Sequence, residues 1–392
     1  MSADEIDELR RRADDLVRAD VRRVHVLAWR DLDDPDAGGS EVHADEFERR
    51  FAAAGLEVTH RTSAAAGRAP VAERAGYRVV RRGSRYSVFP RAIASELTGR
   101  MGPHDAIVEV MNAVPFLTPL WCRHPRMLFL HHVHGPMWDQ ILPGPIAAAG
   151  RVLESRIAPR VYRRGLTATP SEATRQELIE IGFDPARVRA VPNGTDPRFS
   201  PGGERSPRPS IVAVGRLAPV KRFGLLLDAV ARVRAEVDDV TLTVVGEGPE
   251  RALLEARVAE LGAQGWIRFT GRLHADELVA IYRRAWVVAS ASLAEGWGLS
   301  LTEAAGCATP AVATDIRGHR SSVVDGVTGL LAPPGELAPA IVRVLRDEGL
   351  RRRLGDAARS RTSSMSWDAS ALGVIEVLHE AVRRHRGGRV PS

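Results

Sequence analysis

Two glutamates separated by seven residues mark the most informative stretch of this sequence. Glu295 lies in a glycine-rich loop at the end of a predicted strand, and Glu303 lies in the helix that this loop opens. The backbone N–H groups of residues 296–299 can meet phosphate or sugar hydroxyls, and an ionised Glu303 can accept two hydrogen bonds from a ribose diol. The spacing alone also fits a surface helix residue beside an ordinary loop.

Two cations stand at the end of an earlier predicted strand. Arg216 directly follows that strand, and Lys221, the only lysine of the chain, comes at the start of the next helix. Two cations beside a helix N-terminus suit a diphosphate, because they can neutralise charge on a leaving nucleotide without a metal ion. The alternative is a pair of solvated surface cations. The rarity of lysine in this chain favours a function.

Three histidines, His131, His132 and His134, follow another predicted strand. No acidic residue or cysteine at a typical ligand spacing completes a zinc site, so we expect none here. A neutral imidazole at a strand end could instead hydrogen-bond a sugar hydroxyl. The residues alone leave open which histidine would do so, and at least one is expected to be structural.

The loop that contains Gly38 and Gly39 follows the first predicted strand and opens a helix. Backbone N–H groups and the positive helix end can hold an anion there, although a tight turn fits as well. Asp31 and Asp33 precede this loop and resemble the metal-binding carboxylate pair of a different transferase fold. We discount them because that pair belongs to another architecture, and we predict no metal site.

Strands and helices alternate in two series on either side of residues 197–210, which are rich in proline, glycine and serine. The predicted strands are 24–29, 56–60, 106–110, 127–130, 166–169 and 188–191 in the first series, and 211–214, 240–245, 266–269, 287–289 and 311–314 in the second. Such alternation indicates a parallel sheet in each half. We predict two Rossmann-like α/β domains, residues 1–198 and 199–365, and a ligand cleft between them. Residues 366–392 are predicted to contain a helix that could pack back on the first domain.

Composition excludes several classes of protein. The 392 residues are 44% hydrophobic and 27% charged, with 35 glycines and 25 prolines, which fits neither a fibrous nor a disordered chain. We find no apolar run near 18 residues, so we expect neither a spanning helix nor a secretory signal, and we predict a cytoplasmic protein. Cys122 and Cys307 are expected to be buried free thiols.

Several ordered segments make the chain resemble family 4 of the retaining glycosyltransferases. With the two glutamates, they are VGRLAPVKRFGLLLDAV (214–230), VVGEGPE (244–250), GCATPAVATDIRG (306–318) and DGVTGLL (325–331), joined in the first domain by AGGSEVHADEF (37–47) and PNGTD (192–196). A single segment would not be specific, but the ordered set is. The resemblance covers nearly the whole chain.

This resemblance implies the GT-B fold, with a nucleotide sugar held mainly by the second domain and a hydroxyl acceptor by the first. It implies metal-independent hexosyl transfer that retains anomeric configuration, without a cofactor or a protein nucleophile. Arg216 and Lys221 would bind the donor diphosphate, Glu295 the hexose hydroxyls, and Glu303 the ribose. The other residues it assigns to the donor are Gly38, Gly39, Gly296, Trp297, Gly298 and Leu299. The family's first-domain histidine is assigned to His131, with His132 and His134 as open alternatives.

The sequence leaves the substrates and two competing functions open. The donor could carry uridine or guanosine diphosphate, and the acceptor could be a glycan, a glycolipid or a small natural product. Residues 151–164 mix cations with apolar side chains, so they could lie against an anionic membrane or form a solvated helix. We expect no nucleic-acid partner. A non-catalytic nucleotide-sugar-binding protein is one alternative; an NAD-dependent oxidoreductase is another, but Arg251 replaces the third glycine after Gly246 and Gly248.

Overall fold

The computed structural model of the chain describes residues 3–141 and 144–387. The chain divides into two compact units. The first contains the described residues up to Gly194 together with those from Trp367 onward, and the second is Thr195–Ser366. The boundary that the sequence predicts, between residues 198 and 199, lies a few residues beyond this division. Each unit is an α/β structure, as predicted.

The strands in chain order form one sheet in each unit. They are β1 (Arg23–Leu27), β2 (Glu57–Thr62), β3 (Val71–Arg74), β4 (Tyr77–Arg81), β5 (Ala106–Met111), β6 (Arg126–Leu130), β7 (Leu166–Thr169) and β8 (Val188–Ala190) in the first unit, and β9 (Ser210–Val214), β10 (Thr241–Val245), β11 (Ile267–Gly271), β12 (Val287–Ser290), β13 (Ala311–Thr314) and β14 (Gly329–Ala332) in the second. The first sheet has the order β3-β4-β2-β1-β5-β6-β7-β8, and the second β11-β10-β9-β12-β13-β14.

The α-helices in chain order are α1 (Ala3–Arg18), α2 (Gly39–Ala53), α3 (Val88–Leu97), α4 (Thr118–Trp121), α5 (Trp138–Ile141), α6 (Gly144–Val152), α7 (Ala158–Tyr162), α8 (Glu172–Glu180), α9 (Phe223–Arg234), α10 (Arg251–Glu260), α11 (Ala275–Arg284), α12 (Leu299–Gly306), α13 (Arg317–Ser322), α14 (Leu337–Arg346), α15 (Glu348–Thr362) and α16 (Trp367–Gly387). Among the described residues, no helix is both long and apolar enough to cross a membrane.

Three strands escape the sequence prediction. β3 and β4 form an antiparallel hairpin whose turn contains Ala75 and Gly76, both with positive φ. β3 is an exposed edge strand of mixed polarity, so it lacks the apolar run by which the buried parallel strands are recognised. β14 begins at Gly329 in the DGVTGLL segment, where a glycine-containing start obscures the strand pattern.

The alternation of strands and helices predicts a helix around residues 146–164, and the structure has a continuous helical stretch from Gly144 to Tyr162 with a π-helical turn inside it. α6 ends at Val152, a π-helical turn spans Leu153–Ile157, and α7 begins at Ala158. The π-helical turn directly precedes Pro159, whose missing N–H group removes one hydrogen bond from the helix. Such a turn is a local irregularity that occurs within α-helices.

The last helix, α16, completes the core of the first unit. Its buried residues Ala371, Val374, Ile375 and Leu378 recur at helical spacing and join a cluster with side chains of α1 and α2. A largely buried ion pair lies beside this apolar contact. Nε of Arg50 in α2 donates to Oδ1 of Asp368 at 2.6 Å, with the side chains 15% and 8% exposed.

We expect Arg50→Ala to lower the free energy of unfolding by about 3 kcal/mol, because it leaves the Asp368 carboxylate buried without its cation. Arg11→Ala, which breaks an exposed pair with Glu8 on α1, is the matched control and should change stability by less than about 1 kcal/mol. Denaturant unfolding of both variants tests the comparison, and equal losses would contradict the role assigned to Arg50.

Candidate functional site

The strand order of the second sheet reverses between β9 and β12. From β9 the chain adds β10 and then β11 on one side, and from β12 it adds β13 and then β14 on the other. The loops after the neighbouring parallel strands β9 and β12 therefore lead in opposite directions and leave a crevice. Arg216 and Lys221 follow β9, and Glu295 follows β12. The topology therefore brings these three sequence-predicted residues to one edge of the sheet.

An ion pair joins the two loops at this edge. Nζ of Lys221, in a short 3₁₀ turn, donates to Oε1 of Glu295, and the Ser292 hydroxyl donates to the same oxygen at 2.8 Å. The Glu295 side chain is only 15% exposed. Burial would raise the pKa of Glu295, but the Lys221 charge outweighs it, and the pKa lies below its ordinary value. Glu295 is therefore an ionised, oriented carboxylate.

Hydrogen bonds to backbone carbonyl groups hold the two loops together. The guanidinium of Arg222 donates to the carbonyl oxygens of Ala291 and Ser292 at 2.8 and 2.9 Å. The Leu293 N–H group donates to the Val220 carbonyl at 2.8 Å. Arg222 has a left-handed backbone, with φ of +48°. The segment that carries Lys221 and the segment that carries Glu295 therefore form one connected structure.

A chain of polar groups continues from Ser292 into the protein. The Ser290 hydroxyl lies 3.2 Å from both Ser292 Oγ and His319 Nε2. Nδ1 of the buried His319 donates to the Thr314 carbonyl at 2.7 Å. Burial lowers the pKa of His319, so its ring is neutral and Nε2 accepts. These groups orient the side chains that hold Glu295.

The loop from Gly296 to Leu299 leads into α12. Gly298, with φ of +92°, precedes the first helical residue, Leu299. The Trp297 side chain is buried, and its Nε1–H group has no hydrogen-bond partner among the described residues. A buried donor left unpaired costs free energy, so it indicates a place where a ligand acceptor could complete the structure.

Glu303 lies on α12, behind this loop. The hydroxyl of the buried Tyr282 donates to Oε2 of Glu303 at 3.0 Å. Burial raises the pKa of Glu303 to about 7, although the Tyr282 hydrogen bond lowers it, and the Asp196 charge adds to the rise. The carboxylate therefore changes its charge near neutral pH, unlike that of Glu295.

Close backbone contacts support the loop that follows β9. A Cβ atom built on Gly246 would lie 1.9 Å from the Gly215 carbonyl oxygen, and one on Gly248 would lie 2.4 Å from that of Leu217. The GEGPE segment therefore packs against the loop that carries Arg216. Its glycines have this packing role, which differs from that of a dinucleotide fingerprint.

In the first unit, Gly38 caps α2, which begins at Gly39. The Gly38 N–H group donates to Oε2 of Glu41 at 2.7 Å. The Asn112 side chain, at the end of β5, donates to Ser40 Oγ at 3.0 Å. The loop after β1 thus opens a helix, as the sequence predicts, and the Asn112 hydrogen bond ties it to the neighbouring strand.

His131 follows β6 and is buried. Its ring packs against those of His43 and Phe129, and neither ring nitrogen has a hydrogen-bond partner among the described residues. Burial lowers the pKa of His131 well below its ordinary value, so the ring is neutral. His134 differs, because its N–H group donates to the buried Glu154 at 2.7 Å, and its Nδ1 lies 3.5 Å from the same side chain.

The carboxylates of Asp31 and Asp33 are occupied by arginines. Nη2 of Arg81 lies 2.5 Å from Asp31 and 2.6 Å from Asp33, and Nη2 of Arg74 lies 2.6 Å from Asp33 and 3.1 Å from Asp31. The segment that resembles a metal-binding pair is thus an arginine–aspartate network.

Sequence reasoning misses four residues that shape the second-unit site: Ser290, Ser292, Tyr282 and His319. Gly318 belongs with them, because a Cβ there would lie 2.0 Å from the Glu295 carbonyl oxygen. In the sequence, Gly318 is simply the last residue of the segment 306–318. A glycine shortly after a buried strand is a signal that could have marked a close backbone approach.

The chain matches two family models that together cover most of its length. The model described as Glycosyltransferase Family 4 matches residues 37–199, and the model described as Glycosyl transferases group 1 matches residues 196–361. A D-inositol 3-phosphate glycosyltransferase of Frankia alni is 30% identical over 393 residues, which covers 88% of this chain and 95% of the relative. This chain is a family 4 glycosyltransferase. The family resemblance seen in the sequence is therefore confirmed, and so is the prediction of an enzyme.

Solved structures confirm the fold of this family 4 glycosyltransferase as GT-B. Sucrose-phosphate synthase from Thermosynechococcus elongatus superposes with a TM-score of 0.78 at 21% identity, over 92% of this chain and 98% of that one. Anabaena Alr3699/HepE, solved in complex with UDP and glucose, has a TM-score of 0.68 at 19% identity, over 94% and 100% of the two chains.

We expect Gly318→Ala to lower the free energy of unfolding by about 1–3 kcal/mol and to reduce glycosyl transfer, because the added Cβ must displace the Glu295 backbone. Gly224→Ala is the control: nothing lies within 4 Å of its Cβ position on α9. The control should be neutral or stabilising by up to about 1 kcal/mol. Thermal unfolding and product formation measure both effects; a Gly318→Ala enzyme as stable and active as the control would refute this packing role.

Proposed function

We propose that this family 4 glycosyltransferase moves a hexose from a nucleoside diphosphate sugar to a hydroxyl acceptor, with retention of configuration and without a metal ion. The observation that carries the proposal is the Lys221–Glu295 pair at the strand-order reversal of the second sheet, with Arg216 at the same edge. The two cations can bind the negatively charged diphosphate, and the ionised carboxylate can accept hydrogen bonds from sugar hydroxyls.

We assign each residue a role in donor binding from its charge and its capacity for hydrogen bonding. Arg216 and Lys221 neutralise the diphosphate as the bond from its oxygen to C1 breaks, while the loop 296–299 and the Trp297 indole donate hydrogen bonds. Glu295 accepts hydrogen bonds from hexose hydroxyls, and Glu303 accepts them from the ribose. In the first unit, Gly38, Gly39 and His131 are proposed to contact the donor. The two unpartnered ring nitrogens of His131 support its choice over His134.

In the proposed reaction, the acceptor oxygen forms a bond to C1 on the face that the diphosphate leaves. The acceptor proton passes to an oxygen of the departing diphosphate, so no protein nucleophile is required. The Lys221 ion pair and the Ser292 hydrogen bond hold Glu295 in an orientation suited to binding hydroxyls. The two arginines on Asp31 and Asp33 support a reaction in which these carboxylates hold no metal.

The named relatives suggest the first substrates to test. Besides the Frankia protein, a Streptomyces bingchenggensis relative, 29% identical over 90% of this chain, carries the same name, D-inositol 3-phosphate glycosyltransferase. We propose D-inositol 3-phosphate as the first acceptor to try, and UDP- and GDP-hexoses as donors.

We also propose a peripheral contact between residues 151–164 and an anionic membrane. The exposed apolar side chains of Val152 and Ile157 support it, because they lie on the same stretch as the exposed cations Arg156 and Arg160.

We expect one nucleoside diphosphate from a panel of UDP, GDP and ADP to raise the melting temperature of the wild type, and NAD not to do so. A ligand at about 100 times its Kd adds roughly 2.7 kcal/mol to the native state. Lys221→Ala should lose this shift and about 100-fold or more of the transfer rate. Arg232→Ala removes an exposed cation from α9 and should retain both.

Glu295→Gln, which keeps the side chain's shape, should also lower turnover while the protein stays folded. EDTA added to the reaction should leave the initial rate unchanged. Normal rates in both Lys221→Ala and Glu295→Gln would overturn the site assignment. A loss of rate with EDTA that manganese restores would overturn the metal-independent mechanism.

We expect nucleotide affinity to rise about tenfold between pH 6 and pH 8 through Glu303. Its pKa of about 7 means that the free protein holds a proton on this carboxyl at pH 6, which must leave before two ribose hydroxyls can donate to it. Glu303→Gln cannot titrate, so its affinity should lack this increment. Calorimetric titration at several pH values compares the two; identical pH profiles would contradict the assignment to the ribose.

A further inference from the structure

A second cluster of ligand-type side chains lies in the first unit. Nδ1 of His25 is 3.0 Å from both carboxylate oxygens of Glu96, and Nδ1 of His104 is 3.2 Å from Oε2 of the same residue. One ligand atom from each residue lies within 4.8 Å of the other two. Two imidazoles and a carboxylate thus converge on one point.

The fold brings these residues together from three elements. His25 stands in β1 between Val24 and Val26, whose side chains enter the core shared with α1, α2 and α16. Because side chains alternate along a strand, His25 points to the other face of the sheet, where Glu96 of α3 meets it. The chain then turns through Gly99 and Gly102, both with positive φ, and brings His104, in the loop before β5, back to Glu96.

The cluster lies away from the proposed donor residues of this unit. His25 is the central residue of β1, and His104 lies two residues before β5 begins. Gly38 and His131 instead follow the carboxyl ends of β1 and β6. A ligand held by His25, Glu96 and His104 is therefore separate from these proposed donor residues.

The spacing and chemistry of the three groups suit a small divalent ion. Tetrahedral ligands at zinc distances of 2.0–2.1 Å stand about 3.3 Å from one another, and two of the three separations here are already 3.0 and 3.2 Å. Imidazole and carboxylate ligands favour zinc over magnesium or calcium, which prefer oxygen ligands alone. His25 and Glu96 are almost fully buried, whereas His104 is 11% exposed and offers a path for entry.

We propose that His25, Glu96 and His104 bind a divalent transition-metal ion, with zinc as the preferred ion and water as the fourth ligand. Bound there, the ion would fasten α3 and the loop before β5 to β1. The buried thiol of Cys122 interacts with His104 and would support its ring from outside the ligand set. The buried cation Arg61, which also interacts with Glu96, would lower the affinity.

The test begins with protein freed of metal by dialysis against a chelator, to which zinc or cobalt(II) is then added. We expect one zinc per chain by elemental analysis after removal of the excess, a higher melting temperature with zinc, and the visible absorption bands of four-coordinate cobalt. Glu96→Gln and His104→Gln should lose all three signals. His274→Gln, which changes an exposed histidine of the second unit, should retain them.

Three results would overturn the proposal. The first is that the wild-type protein retains no zinc and shows no four-coordinate cobalt bands. This result can be interpreted without any variant. Another is zinc retained equally by wild type, Glu96→Gln and His104→Gln, because that metal would be bound elsewhere. The last is zinc binding without any change in melting temperature, because the ion would then not fasten the elements together. None of these readouts depends on glycosyl transfer.

Discussion

A carboxylate that is largely removed from water needs a compensating positive charge, and in the second unit Lys221 supplies it to Glu295. The residues around the Lys221–Glu295 pair keep it in place. Arg222 and the Val220 carbonyl tie the two loops together, Ser292 uses its hydroxyl on the same carboxylate oxygen, and Gly318 leaves room for the Glu295 backbone. The pair stands where the strand order reverses, so the sheet topology determines where this charge arrangement can be built.

The two glutamates of the motif have opposite electrostatic environments despite their proximity in sequence. A cation next to Glu295 keeps it ionised, whereas Glu303 has a tyrosine hydroxyl and a nearby acidic residue, and burial dominates. One glutamate is thus a fixed negative charge and the other can exchange a proton near neutral pH. A pattern of residue types cannot express this difference, because it arises from partners that are distant in sequence.

Much of the fold could be predicted from the sequence because buried parallel strands contain continuous apolar runs, as in β6 and β9, and because helices with glycine or proline boundaries are recognisable. The hairpin of β3 and β4 could not be predicted, because its exposed edge strand, β3, contains no continuous apolar run. For the site, charged residues at strand ends were informative, since the carboxyl ends of parallel strands share an edge. Other site residues were not recognisable in the sequence, namely Ser292, Tyr282 and His319. A hydroxyl group or an imidazole ring acquires its role only from the neighbours that folding brings to it. His25 and His104 likewise lie far apart in sequence and meet only through the pairing of β1 with β5.

The return of α16 to the first unit has a consequence for protein synthesis. The apolar faces of α1 and α2 are covered by a helix that follows the whole second unit in the chain. At translation rates of about 5–20 residues per second, those faces wait roughly ten seconds or more for their partner to leave the ribosome. During that interval the nascent first unit lacks the helix whose side chains complete the cluster around Phe47 and Phe51. The second unit, which is continuous in sequence, can fold before the first one is complete.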